Sequence, residues 1–147
     1  MTQLELPVAA APMYGRDTLV DSDCSRDYDP WEHAVSLGLP VIYRSDVPED
    51  SNARYSLEHR AVFVRPGLHA AVERSTIAHE IVHHEHDDEG CETMQEERAD
   101  RIAAGRLIRP SLLWRYEGVT EDPGAIALEL GVTDHLMLAY LRWHARR

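Results

Sequence analysis

The centre of the chain carries the stretch Ser75-Thr76-Ile77-Ala78-His79-Glu80-Ile81-Val82-His83. Its apolar residues recur with a helical period and belong to a longer pattern that predicts a helix from about residue 68 to 86. His79 and His83 lie one turn apart on one helix face, so both imidazoles can reach a single zinc ion. Glu80 can lean over the open side of that ion and take a proton from water. The stretch therefore predicts a hydrolytic site that binds Zn2+.

A catalytic zinc site needs a third protein ligand, and the next predicted helix, from about residue 93 to 108, supplies a candidate. Glu96 and Asp100 are four residues apart on the apolar face of that helix. Two carboxylates on a core-facing stripe are costly unless they are paired or bind a metal. If the two helices pack antiparallel, Glu96 lies about as far from the turn as His83. We predict Glu96 as the third ligand and Asp100 as acceptor for the second ring N–H of a ligand histidine.

Other assignments fit the same residues. Thr93 and Glu96 also match a capping box, in which the Glu96 side chain binds the Thr93 backbone N–H instead of a metal. A metzincin-type third ligand is excluded, because it requires Gly at position 86 and His at position 89, where the chain has His86 and Glu89. The segment could also be a solvated helix end rich in histidine. The remaining rival ligands near the motif are Glu97, His84, His86, Asp87 and Cys91. Among them His86 is the most serious, because it shares a helix face with His79.

The flanking sequence predicts an α+β fold. Asp29 and Pro30 form an N-cap and first-turn signal for a helix that Gly38 ends. Three short segments between turn residues, at 40–44, 53–57 and 61–64, predict strands. We expect a small β-sheet packed on the two metal-bearing helices, as in zincin-like folds. Gly90 is the predicted stop of the first metal-bearing helix, and Thr93 the predicted cap of the second.

The C-terminal segment predicts a helix pair of the helix-turn-helix (HTH) type, with helices over 123–130 and 134–143 around the turn 131–133. DNA binding is disfavoured, because the second helix opens with Asp134 and its basic residues come only at its end. The formal net charge of −11 points the same way, since affinity for a phosphate backbone rests on Lys and Arg. We expect this HTH-like lobe to pack on the preceding domain or to help dock a substrate.

Length and composition set the remaining expectations. The chain has 147 residues, and we divide it into an N-terminal arm (1–28), a zinc peptidase domain (29–110) and the HTH-like segment (111–147). No apolar run approaches the roughly 20 residues that a bilayer requires, and the N-terminus lacks the features of a signal peptide. We therefore predict a cytoplasmic protein with no membrane partner, in which Cys24 and Cys91 are free thiols.

The motifs together resemble the ImmA/IrrE family of metallo-endopeptidases. The resemblance rests on a Thr-x-x-His-Glu-x-x-His helix within 74–83, a Glu-x-x-Ala-Asp helix at 96–100 and Leu-x-x-Pro at 107–110. It implies zinc ligands at His79, His83 and Glu96 and a catalytic carboxylate at Glu80. It also implies a substrate among HTH-type repressors of phages and mobile elements, or among similar regulators of stress responses.

The predicted function is thus a zinc-dependent metallo-endopeptidase that cleaves a regulatory protein. One alternative is a catalytically silent module that keeps the same scaffold and holds a repressor or toxin partner. Another is a DNA-binding regulator that acts through its C-terminal helices. A peptidase also needs a donor that stabilises the oxyanion beside the metal. The sequence does not choose among the candidates Tyr55, Tyr116, Tyr140, His135 and Arg109.

Overall fold

The computed structural model describes residues 27–90, 92–116 and 118–144, which form an α+β fold. The predicted fold class is confirmed at this level. Most of the predicted N-terminal arm, together with Cys24 and Cys91, lies outside the described residues. In chain order the elements are α1 (Pro30–Ser36), β1 (Val41–Tyr43), β2 (Ala53–Ser56), β3 (Ala61–Val64), α2 (Ala70–Glu85), α3 (Thr93–Leu107), α4 (Pro110–Trp114), α5 (Pro123–Leu130) and α6 (Asp134–Trp143).

The three-stranded sheet has the order β1-β3-β2. The central strand β3 runs parallel to β1 and antiparallel to β2, with Val62 opposite Val41 on one side and Tyr55 on the other. Val62 and Val64 are fully buried in a cluster that includes Ile77 and Ile81 of α2. The sheet therefore packs on α2 and holds one face of that helix.

Helix α2 is buried on neighbouring faces because its side chains form stripes four residues apart. The stripe of Ile77 and Ile81 packs on the sheet. The stripe of Ala78 and Val82 belongs to a second cluster, which it shares with α3. The stripe that carries His79 and His83 lies beside this second one, since successive helical residues are about 100° apart. Helix α2 is thus held from both sides with its histidines turned towards α3.

The C-terminal helices α5 and α6 add to the second cluster and do not form a separate core among the described residues. Gly131 ends α5 with a left-handed φ of 71°, and the Thr133 side chain caps α6 by accepting from the Leu136 N–H. The α6 members of the cluster are Leu136, Met137, Ala139 and Tyr140. No single described helix is long and apolar enough to cross a membrane, although α5 and α6 together, bent by 112°, reach that length and composition.

Local signals predicted the start of α1 correctly. The Asp29 side chain accepts hydrogen bonds from the N–H groups of Trp31 and Glu32, and Pro30 is the first helical residue. Burial of Pro30 and Ala34 then fixes the helix against the rest of the molecule.

The first metal-bearing helix ends within one residue of its predicted end near residue 86, but Gly90 is not the residue that stops it. Helix α2 ends at Glu85, well before Gly90, because Asp87 adopts the left-handed conformation with a φ of 53°. The N–H groups of Asp87 and Asp88 then donate to the carbonyl groups of His84 (3.2 Å) and His83 (2.9 Å). This is the hydrogen-bond pattern of a Schellman motif, in which an Asp replaces the usual Gly.

Helix α3 begins at Thr93, near its predicted start, but the predicted capping residue is wrong. Its N-cap is Glu92, which makes no side-chain capping bond, and Thr93 is already helical. The short helix α4, with Pro110 in its first turn, was not predicted because its five residues are too few to show a period.

Candidate metal centre

The imidazoles of His79 and His83 converge on one point. Their Nε2 atoms are 3.1 Å apart, and the rings meet edge to face with centroids separated by 4.8 Å. Only 5% of the surface of His83 is exposed. The helical spacing of four residues places the two rings on one face, as the sequence predicted, and packing against α3 prevents them from turning into solvent.

Glu96 of α3 reaches both imidazoles. Its Oε1 lies 3.0 Å from Nε2 of His79, and its Oε2 lies 2.9 Å from Nε2 of His83. Zinc bonds of roughly 2.0–2.1 Å in a tetrahedron put neighbouring ligand atoms about 3.3–3.4 Å apart. These donor atoms are therefore within a few tenths of an ångström of the separations that a bound zinc ion requires. Since the Glu96 carboxylate contacts the histidines, it makes no capping box with Thr93.

Glu80 lies on the adjacent stripe of α2 and turns towards the sheet. It is 8% exposed, and its Oε1 accepts a hydrogen bond of 2.8 Å from the backbone N–H of Tyr55 in β2. Burial raises the pKa of its carboxyl, and the charges on His79 and His83 oppose that rise. One ligand atom from each of His79, Glu80 and His83 lies within 4.8 Å of the others, so this cluster could hold a metal ion.

The carboxylates of Glu96 and Glu80 have different hydrogen-bond partners. Glu96 bridges the ring nitrogens that face each other, whereas Glu80 is bonded to the backbone of Tyr55. A hydrogen bond from His79 lowers the pKa of the Glu96 carboxyl against the effect of burial. A carboxylate that stays ionised suits a ligand, and a buried one with a raised pKa suits proton transfer.

Asp100 supports the other side of His79. Its Oδ1 lies 2.8 Å from Nδ1 of His79, and its Oδ2 lies 2.7 Å from Nε2 of His135 on α6. Burial disfavours the imidazolium form, but the hydrogen bonds with Asp100 and Glu96 outweigh it and raise the pKa of His79 to about 10. The surroundings of His79 therefore favour a cation between these carboxylates, either a proton or a metal ion.

Asp88 was not singled out from the sequence. Its Oδ2 lies 2.8 Å from Nδ1 of His83, and its Oδ1 accepts a hydrogen bond of 2.5 Å from Arg98. Burial works to raise the pKa of Asp88, but the hydrogen bonds with His83 and Arg98 hold it below its usual value. Its only sequence signal was a carboxylate five residues after a ligand histidine, where a continuing helix would point it elsewhere.

The rival ligands make other contacts. His86 contacts the carbonyl oxygen of Val82 through Nδ1 at 3.0 Å. His84 bonds the Tyr55 hydroxyl at 2.9 Å, and Asp87 pairs with Arg60 at 3.0 Å on the surface. Glu97 is exposed, and Cys91 lies outside the described residues.

The five candidate oxyanion donors have different contacts in the structure. Tyr140 is buried and stacks on His144, and the Tyr55 hydroxyl is bonded to His84. Arg109 pairs with Asp27 at 3.3 Å. Tyr116 lies in the turn after α4. His135 is the candidate that the structure joins to the centre, through its contact with Asp100.

Comparisons of the chain with models of protein families, with curated proteins and with solved structures find no match. The resemblance to the ImmA/IrrE family stays a prediction from the motifs. The functional argument consequently rests on the residues and geometry of the centre.

Proposed function

We propose that the protein is a zinc-dependent metallo-endopeptidase with a zincin-like centre. The observation that carries the proposal is the convergence of three side chains on one point. The two Nε2 atoms of His79 and His83 and the carboxylate of Glu96 approach one another within 3.1 Å, and Glu80 is buried beside them. Two imidazoles and one carboxylate form a common ligand set of hydrolytic zinc enzymes.

His79, His83 and Glu96 would hold the zinc ion, and their donor types and separations fit it. When bound, a zinc ion supplies Lewis acidity, which polarises a peptide carbonyl and makes water easier to deprotonate. With these three side chains as its ligands, the ion would keep one coordination position for water or substrate.

Glu80 would move the proton in this reaction. Its carboxylate takes a proton from water as the water oxygen bonds to the peptide carbonyl carbon, and it passes that proton to the amide nitrogen as the C–N bond breaks. Burial, which raises the pKa of this carboxyl, suits a group that must both accept and release a proton. The N–H of Tyr55 orients the carboxylate from the sheet side.

The proposed substrate is a regulatory protein such as an HTH-type repressor, in a phage, a mobile element or a stress response. The sequence resemblance supports this part of the proposal. The HTH-like pair α5 and α6 would pack on the catalytic helices and help dock that substrate. DNA reading by α6 is the less favoured role, because the helix opens with Asp134 and the chain has a formal net charge of −11.

The decisive test compares zinc-loaded wild type with Glu80→Gln on a peptide library prepared from a bacterial proteome, with new termini identified by mass spectrometry. We expect Glu80→Gln to lose about 10²–10⁴-fold of the cleavage rate, because it removes the proton acceptor. Glu97→Gln is the matched control, since Glu97 is exposed and one residue from Glu96.

Cleavage that persists unchanged in Glu80→Gln would remove the proposed mechanism. Zinc binding without any cleavage would favour the silent module that holds a repressor or toxin partner. A shift of duplex DNA at low salt would favour the DNA-binding regulator.

A further inference from the structure

Asp88 is a buried charge whose presence needs an explanation. Among the described residues the buried polar or charged side chains are Ser75, Glu80, His83 and Asp88. A carboxylate that is only 5% exposed is costly unless partners compensate the lost hydration. Asp88 contacts two side chains, His83 and Arg98. His83 is a candidate metal ligand, and Arg98 lies on the helix that carries Glu96.

The end of α2 places Asp88 next to His83. In the Schellman motif the residue that follows the left-handed position returns to the carbonyl of the last full turn. Here Asp87 occupies the left-handed position, and the N–H of Asp88 donates to the carbonyl of His83 at 2.9 Å. An apolar contact usually joins these two positions. In this chain the contact is a hydrogen bond of 2.8 Å between the Asp88 carboxylate and Nδ1 of His83.

Arg98 fixes the carboxylate from the opposite side. It belongs to α3 and lies two residues after Glu96, so one helix supplies both the third candidate ligand and the partner of Asp88. The Arg98 side chain is one-third exposed, at 34%, whereas the Asp88 side chain is 4% exposed. The ion pair thus ties the helix end to α3 next to the centre.

We propose that Asp88 is a positioning residue for the metal ligand His83, with Arg98 holding Asp88 in place. The hydrogen bond fixes the proton on Nδ1 of His83, so that Nε2 presents its lone pair to the ion. His79 has the corresponding support from Asp100. Each candidate imidazole ligand therefore has its own carboxylate. This inference rests on the metal-binding part of the proposed function and does not depend on cleavage.

The test is the zinc affinity of the metal-free protein, measured by competition with a chromophoric chelator. We expect Asp88→Asn to bind zinc roughly 10–100-fold more weakly than wild type, the usual effect of losing such a partner. Asp87→Gly is the matched control. It removes a neighbouring negative charge, and glycine accepts the left-handed conformation, so its zinc affinity should equal that of wild type.

A second variant and a second readout separate positioning from general stability. Arg98→Gln changes neither ligand imidazole nor the Asp88 residue itself, but it removes the cation that holds the Asp88 carboxylate against His83. We expect it to weaken zinc binding in the same direction. The visible absorption of the cobalt-loaded protein reports ligand geometry, and it should change in Asp88→Asn and not in Asp87→Gly.

Zinc affinities of Asp88→Asn and Arg98→Gln equal to that of the control would overturn the positioning role. A wild-type chain that binds no zinc would overturn both this role and the proposed function. If both variants bind zinc more weakly but the zinc-loaded wild type cleaves no peptide, the result would support the positioning role and count against the peptidase.

Discussion

Single residues decide which atoms face the candidate ion. Glu96 and Glu97 are neighbours of the same type, yet only Glu96 lies between His79 and His83. The difference follows from helical geometry, because adjacent residues are about 100° apart around the axis. Asp100 follows Glu96 by four residues and lies on the same face of α3. It therefore reaches Nδ1, the other ring nitrogen of His79.

Replacing Glu96 tests this assignment directly. We expect Glu96→Ala to weaken zinc binding by more than the roughly 10–100-fold that loss of an outer hydrogen-bond partner costs, because it removes a ligand. Elemental analysis of purified protein should show the loss. Glu97→Ala and His86→Ala should retain the metal, and loss of zinc in His86→Ala alone would instead assign His86 as the ligand.

Between elements, small side chains let α2 and α3 approach closely. Ala78 of α2 and Ala99 and Ala103 of α3 are fully buried in the cluster that these helices share with α5 and α6. Helices in contact lie about 8–10 Å apart, and the smaller separations require small residues at the crossing. The same separation allows the short carboxylate arms of Glu96 and Asp100 to touch the imidazoles.

Enlarging one of these alanines should therefore destabilise the fold. We expect Ala103→Leu to lower the free energy of unfolding by about 1–3 kcal/mol, the usual cost of overpacking a filled core. Chemical denaturation of the metal-free protein measures this change. A leucine at the exposed position Glu97 is the control, and an Ala103→Leu protein as stable as that control would show that the core around Ala103 has spare room.

In the whole molecule, one hydrophobic cluster joins the helices of the centre to the C-terminal helices. It runs from Val82 and Leu107 to Leu136 and Tyr140, across the boundary predicted near residue 110. His135 adds a polar contact from α6 to Asp100. The C-terminal helices therefore help to set the position of α3, and with it the position of Glu96.

A core truncation on α6 should weaken the entire fold. We expect Leu136→Ala to lower the free energy of unfolding by roughly 2–5 kcal/mol, because it leaves a cavity where Leu136 is 2% exposed. Leu138→Ala is the matched control on the same helix, since Leu138 is 53% exposed, and it should change stability by no more than about 0.5 kcal/mol. Unfolding followed by circular dichroism should show one transition in each protein. A separate early transition in Leu136→Ala would mean that the C-terminal helices unfold independently.

The sequence alone was sufficient for features that depend on neighbours along the chain. The spacing of His79 and His83, the shared face of Glu96 and Asp100, and the Asp29–Pro30 helix start follow from helical periodicity and capping. The strand positions followed from short segments with strand-forming residues between turn residues. In each case a few consecutive residues contain the whole physical cause, so no knowledge of the fold was needed.

Tertiary structure alone decided which of these faces meet. Asp88 reaches His83 because Asp87 takes a left-handed conformation that the sequence signals only weakly, and because Arg98 arrives from another helix to compensate the buried charge. His135 reaches Asp100 across 35 residues because α6 buries its apolar face on α3. Such contacts depend on how apolar surfaces are buried across the whole chain, and this burial is not encoded in any local pattern.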